Sequence, residues 1–386
     1  RAEFGRLSSS LQMAENFSDW CNLYRRLTNW EIDLAEANDP SLKEVLVYQK
    51  NEANQEFSKF VRRNYYHWIN ERADDTPVMS HTLMRSKIFP VADSHRKTTL
   101  LLIDNFRYDQ WRAISSLLRG HYDVALDDFY CAILPTATQY ARNAIFSGLM
   151  PNKIAEMFPD LWVDEDEEEG KNLNEAPLIQ TQIDRFRRHD TFSYHKINDA
   201  QGAEKLVAQF RQFENNDLNV VVVNFIDLLS HARTESKTLR ELAADEAAYR
   251  SVTATWFRHS PLKELFALLA ESDYKVVITT DHGSIRVNNP IKVVGDRNVN
   301  TNLRYKLGKT LSYNPREVYE IKDPRKVFLP SPNVSTAYIF AWGDNFFAYP
   351  NNYNHYVSYY RDTFQHGGIS MEEMIVPFIT LTPKKR

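Results

Sequence analysis

From Thr98 to the C-terminus, short apolar runs of strand character alternate with stretches of helical periodicity. Such alternation is the pattern of a mostly parallel sheet covered by helices. Strands are expected over 98–104, 129–134, 218–226, 275–280, 336–342 and 374–381, and helices over 108–118, 138–147, 176–187, 203–213 and much of 238–272. In sheets of this kind ligands gather beyond the carboxyl ends of the strands. Asp104, Asp227 and Asp281 each close one of the runs, so three acids are expected to converge there.

The first 88 residues read differently. Leu11, Phe17, Trp20, Leu23, Tyr24, Leu27 and Trp30 recur at helical spacing, as do Phe57, Phe60, Val61, Tyr65, Trp68 and Ile69, which predicts a helical bundle over 1–88. A polar linker at 85–97 would join it to an α/β domain over 89–386. The 386 residues, 43% hydrophobic and 25% charged, suffice for more than one domain. A net charge of -4 argues against a dedicated nucleic-acid binder while permitting a locally basic site. Cys21 and Cys131 sit in no CxxC or CxxH pattern and read as buried thiols, so a reducing, cytoplasmic location is expected. No apolar run approaches the ~20 residues of a bilayer span. Arg1 is not a natural start, and further sequence is expected to precede it.

Two stretches carry the chemistry: Asn224-Phe-Ile-Asp227-Leu-Leu-Ser-His231 and Val276-Val-Ile-Thr-Thr280-Asp281-His282-Gly283. Each ends an apolar run with carboxylate oxygen and imidazole nitrogen, ligands that suit zinc or a similar divalent ion. Buried Asp and His side chains are costly unless paired or metal-bound. Taken singly they have ordinary roles, a hydrogen bond across one helical turn for Asp227 and His231, a helix cap for Asp104. In Leu134-Pro-Thr-Ala-Thr-Gln-Tyr-Ala-Arg-Asn143, Thr136 and Gln139 fit a capping box, which puts Thr138 in the first helical turn. There the orphan amides and the helix dipole favour a phosphate. Thr138 is the candidate nucleophile, provided a metal activates its hydroxyl; the alternative is a plain cap. Arg142, one turn further, is a candidate for a phosphate oxygen, with a surface salt bridge as the alternative. Gly367 and Gly368 follow His366 and would let backbone approach a metal or substrate, or make a simple turn. The acidic run 164–169 reads as a solvated loop.

Between His282 and His366 lies an insert of about eighty residues (285–365), longer than an ordinary connection and expected to be a lid or small subdomain. Its first half is basic, from Arg286 to Lys326, and its second half aromatic, from Phe346 to Tyr360. Charge for phosphates and aromatic faces for bases suit a nucleotide; a basic surface over an aromatic mini-core is the even alternative.

Taken together, these residues resemble the alkaline phosphatase superfamily and, within it, the PglZ branch. The likeness is carried by Asp104 in Ile-Asp-Asn-Phe-Arg, Thr138 in Pro-Thr-Ala-Thr, the Asp227/His231 pair, Asp281-His282-Gly283 and His366-Gly-Gly-Ile-Ser370. It implies an alkaline-phosphatase-like, mostly parallel sheet with helices on both faces. It also implies two zinc ions, one on Asp104, Asp281 and His282, the other on Asp227, His231 and His366, with Thr138 touching the pair and forming a phosphothreonine intermediate. The Cys/Ser-x-Pro-x-Arg setting of sulfatases is absent, and the phosphoglycerate mutase branch uses serine. A threonine resembles the phosphodiesterase branch, so diesters such as nucleotides or short oligonucleotides are expected first and monoesters second. The chain is also similar to the part that follows the receiver domain in response regulators associated with type IX secretion. That likeness implies control by a sensor kinase through a receiver outside these residues. A regulatory module with a vestigial metal site is the competing reading, and homodimerisation is left open.

Overall fold

Capping signals set where the first helices begin. The computed structural model describes residues 2–164, 173–224, 245–295 and 299–385. Helix α1 (Ala2–Met13) is followed by α2 (Phe17–Ala37), whose N-cap Asn16 forms a reciprocal capping box with Asp19 and which ends where Asn38 turns left-handed at φ 52°. Helix α3 (Pro40–Asn70) opens with proline in its first turn, and the Asp39 carboxylate accepts from the Ser41 and Leu42 amides. These helices are not a separate bundle. The Tyr24 ring lies 6.0 Å from that of Phe129, Arg25 pairs with Asp127 at 2.6 Å, and one hydrophobic core runs through both regions. The stretch expected as a linker is itself helical: a π-turn over Met84–Ile88 runs into α4 (Phe89–Ser94), burying Ile88 and Phe89. Pro90 sits in that first turn, where its missing N–H costs nothing.

The α/β region then follows as β1 (Thr98–Ile103), α5 (Tyr108–Ile114), β2 (Tyr122–Cys131), α6 (Thr138–Ser147), α7 (Pro151–Met157) and α8 (Glu175–Arg185). Next come β3 (Phe192–Ile197), α9 (Ala200–Ala208), β4 (Leu218–Val223), α10 (Glu246–His259), α11 (Leu262–Glu271) and β5 (Lys275–Thr279). The insert holds β6 (Ile285–Arg286), β7 (Asn289–Lys292), β8 (Tyr305–Gly308), β9 (Tyr319–Ile321), β10 (Ala337–Phe340), β11 (Asn345–Ala348), α12 (Tyr353–Tyr360) and β12 (Phe364–Gln365). Helix α13 (Met371–Met374) and β13 (Ile375–Pro383) close the chain.

The main sheet has the order β2-β13-β5-β1-β4-β3. Strands β5, β1, β4 and β3 run parallel, and β13 is antiparallel to both of its neighbours. This is the mostly parallel α/β sheet expected. Every residue of β1 and β4 is buried, so both faces of the sheet centre are covered. The register sets Ile103 beside Val223 and Leu102 beside Thr279, so the chain leaves the sheet at Asp104, Asn224 and Thr280 along one edge. Because β13 runs the opposite way, its start at Ile375 lies opposite Cys131 at the end of β2. Residues 366–374 are thereby brought to that same edge.

Strand β3 was not expected; it is a half-buried edge strand in which Ser193, His195 and Lys196 interrupt any apolar run. The strand expected over 336–342 exists as β10 but belongs to the insert, in a three-stranded antiparallel sheet of order β8-β10-β9. Phe346 and Phe347 are buried in two separate small cores of the insert, the aromatic mini-core alternative for those two rings. Asp227 and His231 lie outside the described residues, as do 165–169 of the acidic run. Among the described residues no helix is long and apolar enough to cross a membrane.

Candidate metal centre

Asn105 adopts a left-handed conformation (φ 56°) that turns the chain immediately after Asp104. Its amide donates to Asp281 Oδ1 at 3.2 Å, and the Phe106 amide donates to Thr280 Oγ1 at 3.0 Å. The His282 amide donates to the same Asp281 oxygen at 3.0 Å. The loops after β1 and β5 are thus tied together, with Asp104 1% exposed and Asp281 and His282 fully buried. One ligand-capable atom from each of these three side chains falls within 4.8 Å of the others. His282 Nε2 lies 3.8 Å from Asp104 Oδ1 and 3.7 Å from Asp281 Oδ1. Its Nδ1 is 2.9 Å from the Gly283 carbonyl. A carbonyl only accepts, so Nδ1 carries the proton and the Nε2 lone pair is turned toward the carboxylates.

Thr138 is the first residue of α6, and its Oγ1 lies 3.2 Å from Asp104 Oδ1 and 3.2 Å from His282 Nε2. The expected capping box does not form. Ala137 is the N-cap and supplies no side-chain bond. The Thr136 hydroxyl instead donates to the Gly368 carbonyl at 2.8 Å, and the Gln139 amide donates to the Val163 carbonyl. Tertiary acceptors take both groups, which leaves the first-turn amides of α6 without a side-chain cap. His366 stands beside the three-residue cluster rather than in it: its ring stacks on His282 with centroids 4.1 Å apart, and its Nδ1 donates to the Thr136 carbonyl at 3.0 Å.

Arg142 is not on the surface. It is 2% exposed, with Nε 3.0 Å from Glu175 Oε1 and 3.7 Å from Asp281 Oδ2, and Nη1 donating to Asn224 Oδ1 at 3.0 Å. Burial works against its charge, but Glu175, Asp104 and Asp281 outweigh it and hold the guanidinium pKa above its ordinary value. For Asp281, burial pushes the carboxyl up, while His282 and Arg142 more than offset this and keep it below the usual range.

The glycines make room for protein rather than for a metal or substrate. A Cβ on Gly368 would lie 2.3 Å from the Ala341 carbonyl, one on Gly283 1.8 Å from the Glu372 carbonyl, and one on Gly367 (φ 132°) 2.6 Å from the Tyr305 ring. Sequence reading also gave no part to Glu373 or Arg304, both fully buried beside this loop. The available signal was the spacing Ser370-x-x-Glu373, and Ser370 does cap α13.

Two buried carboxylates and an imidazole with an inward lone pair form an O,O,N donor set of the kind zinc takes. Asp281 Oδ2 has no hydrogen-bond partner, and the nearby guanidinium is shared with Glu175. The residues present therefore fit a divalent cation.

Residues 83–381 match the family of the BREX system PglZ alkaline phosphatase-like domain, and residues 1–69 match the PorX response regulator linker domain. No curated protein matches by sequence. Among solved structures, the chain is similar to human ectonucleotide pyrophosphatase / phosphodiesterase 5, at 12% identity and a TM-score of 0.49, over 74% of this chain and 87% of that one. It is also similar to phosphonoacetate hydrolase from Sinorhizobium meliloti 1021 in complex with phosphonoformate (13% identity, TM-score 0.47, 74% and 90% covered). Alkaline phosphatase PafA matches at 9% identity and a TM-score of 0.39, over 75% of this chain and 91% of that one.

Proposed function

This chain belongs to the family of PglZ alkaline phosphatase-like domains, and from that premise we propose that it is a zinc-dependent phosphodiesterase acting on nucleotides or short oligonucleotides. The observation that carries the reading is the Thr138 hydroxyl, 3.2 Å from both Asp104 and His282 at the start of α6. Asp104, Asp281 and His282 would hold one zinc ion, and His366 with Asp227 and His231 the other. Such a pair, when bound, supplies Lewis acidity that lowers the pKa of a hydroxyl or water and offsets charge on phosphoryl oxygens.

The chain's own residues do the rest. Asp104 accepts from the Thr138 hydroxyl and aims its oxygen. The uncapped amides of the first turn of α6 favour the phosphate oxygens. Thr138 Oγ forms a bond to phosphorus as the bond to the departing alcohol breaks, and water then releases phosphate from the phosphothreonine. Arg142, engaged by Glu175 and Asn224, orients Asp281 rather than reaching a substrate. The linker-domain match over 1–69 supports an effector role behind a receiver domain, with a sensor kinase as the upstream partner.

The test is hydrolysis of a chromogenic phosphodiester with added zinc by wild type and Thr138→Ala. Loss of a nucleophile is expected to lower kcat by about 10³-fold or more. Equal rates would remove Thr138 from the chemistry. Absence of turnover on any ester by wild type would favour the regulatory module.

A further inference from the structure

We propose that Glu373 is the positioning residue that locks the Thr138 turn to the His366 loop, with Arg304 of the insert as its counter-charge. The inference rests on the metallo-phosphodiesterase reading above. Glu373 lies in α13 and is fully buried. Its Oε2 accepts the amides of Gly367 and Gly368, each at 2.8 Å, and lies 3.2 Å from the Thr136 hydroxyl. Its Oε1 accepts from the Ser370 hydroxyl at 2.8 Å and from the Arg304 guanidinium. Its backbone carbonyl accepts the Gly283 amide at 3.1 Å. Three segments that carry site residues, 136–138, 282–283 and 366–368, thus meet on one side chain and its peptide group.

A residue that only capped α13 would need Ser370 and nothing else. Glu373 instead fixes the path of the two residues after His366. It also touches the hydroxyl of Thr136, the residue whose carbonyl orients the His366 ring at 3.0 Å. That hydrogen bond puts the proton on Nδ1 and leaves Nε2 as the ligand atom, the usual work of an outer partner at a metal site. The same peptide leads into Thr138 two residues on. Arg304 holds the other side. It is fully buried, donates to the Asn345 carbonyl at 2.6 Å and the Ile369 carbonyl at 3.2 Å, and keeps Glu373 ionised inside the protein. The base of the insert is therefore a fixed buttress of the site.

The experiment measures zinc affinity by chelator competition, together with kcat and KM on the chromogenic diester, for full-chain wild type, Glu373→Gln and Thr136→Val. Glu373→Gln is expected to weaken zinc about 10–100-fold. Its kcat should fall at sub-saturating zinc while KM stays within about twofold, because the substrate contacts are untouched. Thr136→Val should shift affinity in the same direction by a smaller factor. Wild-type zinc affinity in either folded variant overturns the proposal; if Glu373→Gln does not fold, Thr136→Val alone decides. A wild type that binds zinc but cleaves no ester would defeat the phosphodiesterase reading and leave the affinities to judge Glu373. A wild type that binds no zinc defeats both.

Discussion

Two clusters of inward-facing acids in this molecule meet the cost of burial in opposite ways. Asp104, Asp281 and His282 gather at the sheet edge; Glu31 of α2, Asp109 of α5 and Glu246 of α10 gather where the helical region meets the α/β region. Within each group, ligand-capable atoms lie within 4.8 Å of one another. At the junction each carboxylate has a protein cation: Lys50 lies 3.2 Å from Glu31 and 3.0 Å from Glu246, Arg107 2.9 Å and Arg250 3.3 Å from Asp109. At the sheet edge Arg142 approaches Asp281 only to 3.7 Å while holding Glu175 at 3.0 Å. Crowded acids therefore do not mark a metal site by themselves. A shortage of protein cations around them does, because buried charge must be compensated by something.

The largest expected effect separates the two clusters directly. Asp281→Asn should weaken zinc by more than the ~100-fold typical of losing an outer partner, whereas Asp109→Asn should leave the zinc content after dialysis at the wild-type value. Equal zinc loss in both would erase the distinction. Lys50→Met is the converse test: it leaves Glu31 and Glu246 short of a cation, and breaking a buried pair costs roughly 3–5 kcal/mol, toward the low end here because some solvent reaches these side chains. Urea unfolding should show that loss while zinc binding per folded molecule is unchanged. A variant as stable as wild type would mean that the junction is not held by its charges.

Proton linkage sharpens the same contrast. Burial pushes the Glu31 carboxyl up to about 8, with Glu246 adding to the effect. Burial would raise Glu246 as well, but Lys50 outweighs it and holds Glu246 well below its usual range. A raised folded-state pKa gives stability that is full below the unfolded value near 4.5 and is lost as pH rises toward 8. Glu246 acts in the opposite sense and below that window. Relative to Glu31→Gln, wild type should therefore lose about 2–4 °C of Tm between pH 5 and 8. Parallel Tm profiles for the two proteins would show that Glu31 does not titrate in this window.

Much of this architecture was legible because its signals are local. The apolar runs of β1, β4 and β5 and the acids that end two of them, Asp104 and Asp281, could be read from adjacent letters. So could Thr138 as a first-turn residue. What escaped depends on distant partners. Thr136 carries the right letter for a cap, yet its hydroxyl is taken by Gly368 from the far end of the chain. Glu373 looks like any acid in a short helix, and only the fold brings two amides and a guanidinium onto it. Arg304 reads as one more base in a basic stretch until Glu373 is seen against it. Strand β3 lacked an apolar run because an edge strand need not bury both faces.

The insert repeats the contrast on a smaller scale and supplies the smallest expected effect. Its basic residues divide into those engaged inside the protein and those left toward solvent. Arg304 is buried on Glu373, and Lys306 is buried with Nζ donating to the Asn300 carbonyl. Arg325 and Lys326 are exposed. If phosphates of an oligonucleotide meet the insert, they meet the second kind, through contacts that salt screens. Arg325→Glu combined with Lys326→Glu should lower kcat/KM on an oligonucleotide about 3–10-fold at low salt, converge on wild type at high salt, and leave the chromogenic diester unaffected. An unchanged salt slope on the oligonucleotide would move substrate recognition off this face and back to the sheet edge, where Thr138 alone would have to select the ester.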